Sequence, residues 1–75
     1  MSNCMQIFET DRVYIELVFE VHYINKTPYG VYIVRHYNRI GDMIGYPSKE
    51  YTTPDLKKAK TTFNRYRRLS KGVQY

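Results

Sequence analysis

Between Val13 and Ile24 the chain alternates with period two. Val13, Ile15, Leu17, Phe19, Val21 and Tyr23 hold every second position, with Tyr14, Glu16, Val18, Glu20 and His22 between them. Successive side chains of an extended backbone point to opposite faces, so this pattern calls for one long strand with a buried side. β-branched and aromatic residues fill it, as a pleated, half-buried surface favours. A strand this long needs partners, and the rest of the chain must supply them.

Asn25-Lys26-Thr27-Pro28-Tyr29-Gly30 carries turn chemistry, with a fixed φ at Pro28 and freedom at Gly30. Val31 to Ile40 reads as the returning strand of a hairpin. Opposed charges select its face: with Glu20 across from Arg35, Glu16 falls across from Arg39. Such pairs contribute roughly 0.2–1 kcal/mol each. That pairing puts Tyr32, Val34 and His36 inside with Phe19, Val21 and Tyr23. Cys4 to Glu9 forms a short first strand, ending in a turn at Thr10-Asp11. A further strand from Met43 is kept short, or at an edge, by Gly45 and Pro47.

The helix has its own punctuation. Thr53 is a suitable N-cap, Pro54 fits the first helical position, and Asp55 suits the positive end of the dipole. Leu56, Ala59, Phe63, Tyr66 and Leu69 recur at three- and four-residue spacing, and Gly72 marks the stop. The expected fold is α+β, one domain over residues 1–75. A small antiparallel sheet occupies 4–52, as a long hairpin plus one or two short strands. One C-terminal amphipathic helix, 54–71, packs on one face of it. Seventy-five residues hold a single core of modest stability.

Charge is segregated along the chain. Lys57, Lys58, Lys60, Arg65, Arg67, Arg68 and Lys71 face only Asp55 after residue 50, whereas the preceding fifty residues are nearly balanced. On a helical wheel started at Leu56, the apolar stripe centres near about 300°. Lys57, Thr61, Asn64, Arg68 and Lys71 then fall at about 60–140°, flanked by Lys60 and Arg67 on one side and by Lys58 and Arg65 on the other. A helix built only to stay in water mixes Glu with Lys. Here Lys57/Lys60, Arg65/Arg68 and Arg68/Lys71 repel one another. That repulsion points to an anionic partner, contacted by Lys57, Lys60, Thr61, Asn64, Arg67, Arg68 and Lys71, with the two neutral residues donating hydrogen bonds. Tyr37, Arg39, Met43, Ile44 and Tyr46 form a secondary contact. Phosphate backbones fit such a surface, and so does an acidic protein.

No RNA-recognition, helix-turn-helix or zinc-finger signature is present, so base-specific reading has no support. Two histidines and the lone Cys4, read as an inert thiol, make no metal set, and no phosphate loop or nucleophile elbow is present. The expectation is a non-catalytic binding protein with no metal or cofactor. One enzymatic alternative is a small ribonuclease using His36, Tyr37 and Arg39. Nothing resembles a signal peptide or an apolar span, so a cytoplasmic location and no membrane contact are expected. An unpaired strand edge would allow a homodimer. In general type the chain resembles compact accessory proteins of phages and plasmids: a very short lone domain, rich in tyrosine, with a strand pair and one charged helix. The likeness covers architecture only and transfers no residue role. It implies an inhibitor, of the anti-CRISPR or anti-restriction kind, blocking a host nucleic-acid-handling protein by direct contact.

Overall fold

The computed structural model describes residues 2–40 and 43–72, with side chains described for 3–40 and 43–69. Four strands, β1 (Ser2–Glu9), β2 (Val13–Ile24), β3 (Thr27–Ile40) and β4 (Met43–Thr53), precede one helix, α1 (Leu56–Gly72). The sheet is antiparallel throughout and ordered β1-β2-β3-β4. The architecture is therefore α+β. Its flanking strands are not short: β1 has 8 residues and β4 has 11. β4 lies at an edge as Gly45 and Pro47 require, and register shifts flank the Tyr37–Pro47 pair.

Asn25 and Lys26 alone turn the central hairpin, at φ of 50° and 67°. Positive φ at both central residues suits a two-residue turn whose twist matches the strands. Pro28 and Gly30 are consequently strand residues rather than turn residues. Pro28 sits where β3 has only β2 beside it, so its missing N–H breaks no ladder. The short turn also moves the register by four residues: Glu16, not Glu20, stands across from Arg35. Arg39 does not face Glu16 but pairs with Glu9 at 2.7 Å. A shift of four preserves which side each residue faces, so the expected faces of Tyr32, Val34 and His36 hold while their partners change.

The sheet's first face carries Phe8, Ile15, Leu17, Phe19, Tyr32, Val34, His36 and Tyr51. Ile15, Leu17 and Val34 form one buried cluster with Ala59 and Phe63 of α1, joined by the partly buried Phe8, Tyr32 and Tyr66. Phe19 leans over Gly30, where an added Cβ would lie 2.5 Å from its ring. Beyond that point the hairpin is uncovered. Val21 and Tyr23, expected inside, are exposed, Tyr23 at 68%. Leu69 is 50% exposed, because its position lies well off the centre of the apolar stripe.

The second face was expected to meet solvent, yet Val18, Val31 and Ile33 are buried there. Arg35 accounts for the cover over Val18. Its guanidinium bonds Glu16 at 3.2 Å and reaches Glu20 at 3.8 Å, and these two carboxylates flank Val18 along β2. The same group bonds Glu50 of β4 at 2.7 Å. One arginine thus ties three strands, its guanidinium spanning the two carboxylates on either side of Val18. The hydrogen bond to Glu50 foremost holds the Arg35 pKa above its usual value, against the opposing effect of burial.

Asp55 caps α1, and Thr53, two residues earlier, supports it. The Asp55 carboxylate accepts Lys57 N–H at 2.9 Å and its carbonyl accepts Ala59 N–H at 3.0 Å, while Thr53 Oγ1 accepts Asp55 N–H at 3.1 Å. The helix therefore begins at Leu56, and Pro54 lies outside it.

Candidate functional site

Lys57, Lys58, Lys60, Asn64, Arg65 and Arg68 are exposed on α1. Every described ion pair lies elsewhere, on Arg35, Arg39 and His22. Glu9, on β1 and far from α1 in sequence, is engaged by Arg39 at 2.7 Å. Among the described residues, then, no carboxylate side chain of the chain pairs with a cation of α1. Elsewhere Glu16, Glu20 and Glu50 surround Arg35, and Glu9 pairs with Arg39.

Four of the expected contact residues are brought together. Thr61, Asn64, Arg67 and Arg68 line an open groove of about 420 Å³. Two of them differ from expectation in their chemistry. The Thr61 hydroxyl donates to the Lys57 carbonyl at 2.9 Å, so its proton serves the helix rather than a ligand. Arg67 is half-buried, its guanidinium 5.0 Å above the Phe8 ring. That cation–π contact holds the head at the groove's edge. The side chain of Lys71 lies outside the described residues.

The secondary group divides. Tyr37 donates its hydroxyl to Glu16 at 3.1 Å, and Arg39 donates to the Thr10 carbonyl at 3.1 Å besides pairing with Glu9. Both are engaged on the protein itself. Met43, Ile44 and Tyr46 are exposed, Tyr46 at 95%, at the end of the sheet away from the hairpin turn. They belong to β4, the strand expected from Met43.

His36 is buried on the first face, and its neighbours Tyr37 and Arg39 stand on the second. The three groups of a ribonuclease site therefore do not converge. Ser48 gives its proton to the His36 carbonyl at 3.1 Å, which leaves its oxygen to accept the ring Nδ1–H at 2.8 Å. Burial first, and then Lys49, push the His36 pKa below its ordinary 6.5. A histidine held neutral stabilises the fold fully above the unfolded value and loses that contribution as pH falls. Urea midpoints should accordingly be level above about pH 6.5 and decline below it. A His36→Gln variant should flatten that decline, and an unchanged slope would remove His36 as its source.

Sequence reasoning missed a second cleft, between β4 and α1, where Tyr51 and Tyr66 meet Lys58 and Arg65. The two tyrosines are fifteen residues apart in sequence, and no local pattern links them. Among the described residues no helix is long and apolar enough to cross a membrane. The molecule is thus a small α+β protein with an exposed row of cations on α1. Comparison with protein-family models, curated proteins and solved structures finds no match.

Proposed function

We propose that the protein binds nucleic acid through the outer side of α1, largely without regard to sequence, and performs no catalysis. In this reading α1 rests its Ala59–Phe63 side on the sheet and turns Lys57, Lys60, Asn64 and Arg68 outward. One observation carries it: among the described residues the cations of α1 have no carboxylate partner, while the carboxylates near Arg35 and Arg39 are paired. Lysine and arginine neutralise phosphates and release counterions, so affinity falls steeply with salt. About four phosphate contacts give a log–log slope near −3.6, or roughly a hundredfold loss between 50 and 200 mM NaCl. Fluorescence anisotropy with a labelled duplex measures this. Replacing Lys57, Lys60 and Arg68 together by Gln should flatten the slope by about two to three units. Salt-independent binding, or none at 50 mM, would sink the reading.

A second reading, an inhibitor docked on a host nucleic-acid-handling protein, draws on the exposed Met43, Ile44 and Tyr46. Adaptable and aromatic side chains of this kind anchor protein contacts. A complex with such a protein that survives nuclease treatment, and is lost in Tyr46→Ser, would favour it over the first.

We also propose self-association through the edge of β1. β4 protects its edge with Pro47, Lys49 and two register shifts, whereas Ser2 to Phe8 contains no charge and no proline and has a single register shift between Cys4 and Gln6. Antiparallel pairing of two β1 strands places the Glu9 carboxylates at opposite ends. Light scattering at tens of micromolar should give twice the monomer mass, and Ile7→Lys should halve it. A monomeric wild-type protein would end this proposal.

A further inference from the structure

Beside the cationic side of α1, the helix and β4 enclose a cleft of about 460 Å³ whose lining includes Tyr51, Lys58, Thr62, Arg65 and Tyr66. Tyr51 enters from the sheet, in the row Leu17–Val34–Tyr51, and is partly buried. Tyr66 enters from the helix at the margin of the core cluster. Its phenol pKa is raised, by burial first, with Arg65 opposing and Tyr51 adding, so all three groups are close. Thr62, also on the lining, is buried. Lys58 and Arg65 are exposed at the rim, seven residues apart, which is about 10 Å along a helix. Asp55 lies at the N-terminal end of the cleft, where its carboxylate is bonded to the helix backbone.

Two tyrosine rings stand behind two cations, Tyr66 being also packed edge-on with His36 at 6.0 Å between centroids. This combination of rings and cations suits a flat ring attached to phosphate. The volume lies in the range of small-ligand sites. Bases in a duplex are stacked and paired and cannot enter such a cleft, whereas those of a single strand can turn out and stack on tyrosine. Lys58 and Arg65 also continue the cationic surface of α1 to the cleft's mouth, so a strand lying on that surface passes the opening.

We propose that this cleft takes an unpaired base of a single-stranded nucleic acid, with flanking phosphates on Lys58 and Arg65, so that the protein prefers single strands to duplex. This rests on the reading of α1 as a phosphate-binding surface. The test compares three labelled probes of twelve nucleotides on the full chain: a single strand, a strand of abasic sugar-phosphate, and a duplex. The strand with bases should bind about tenfold more tightly than the abasic one, the effect of one stacked base. In Tyr51→Leu the two should come within about twofold of each other. Arg65→Gln, at an exposed position, should weaken the strand with bases more than the duplex. A 2-aminopurine in the middle of the strand should lose fluorescence on binding the wild-type protein, which tests stacking without any variant. Equal affinity for strands with and without bases, or no change in 2-aminopurine emission, overturns the base cleft while the phosphate-binding surface stands. Failure of all three probes to bind overturns both.

Discussion

Phe63→Ala should remove a large share of the domain's stability at 25 °C. Phe63 is 1% exposed and closes the cluster of Ile15, Leu17, Val34 and Ala59. Truncating a buried phenylalanine costs about 3–5 kcal/mol, because both transfer energy and packing around the new cavity are lost. A chain of 75 residues has about 4–11 kcal/mol of stability in all. With a urea m-value of about 1 kcal/mol/M for so small a domain, the midpoint should fall by about 3 M or more. Leu69→Ala is the comparison. Half exposed on the last described turns of α1, it should cost under about 1 kcal/mol. Circular dichroism against urea measures both. Equal costs at the two positions would mean that α1 is not held through Phe63.

Removing the guanidinium of Arg35 should produce the next largest loss. Arg35→Met leaves Glu16, Glu20 and Glu50 together with no cation between them, and withdraws the cover from Val18. Breaking a fully buried pair costs about 3–5 kcal/mol. Arg35 retains a quarter of its side-chain exposure and Glu50 half, so solvent screening lowers the expectation to about 1–3 kcal/mol. The residual repulsion should respond to salt, since the Debye length shrinks to about 3 Å at 1 M. Added NaCl should therefore recover part of the loss in Arg35→Met. Arg35→Lys keeps the charge but lacks the fork that reaches three carboxylates, and should lie between the variant and the wild type. Wild-type stability in Arg35→Met, with no salt response, would show that the cluster contributes nothing.

These two positions differ in how readily the sequence announces them. Phe63 is evident from helical spacing alone, as the centre of the stripe running from Leu56 through Ala59 to Tyr66. Arg35 was legible only as a charge needing an opposite number, and the choice of Glu20 was off by four residues. The error came from reading Asn25 to Gly30 as one long loop. Asn-Lys is a weaker turn signal than Asn-Gly, and Pro28 and Gly30 drew attention away from it. Tyr23 illustrates a different limit. Alternation correctly put it on the same side as Phe19, but a side is buried only where something lies over it, and α1 does not reach the hairpin tip. For the candidate site, the like sign of the α1 surface was visible in the order of lysines and arginines. That Glu9 is engaged by Arg39, that Thr61 bonds its own helix, and that Tyr51 meets Tyr66 were not.

By itself, the order of residues determined the element types, the direction each side chain takes within its element, and the gathering of positive charge after residue 56. Those properties follow from backbone geometry, whose repeats of two and 3.6 residues act over a few positions. Tertiary structure alone decided the register of the hairpin, the shielding of Val18 by Arg35, and the cleft between β4 and α1. Each depends on groups far apart in the chain, whose meeting is set by one turn's dihedral angles and by where the helix comes to rest.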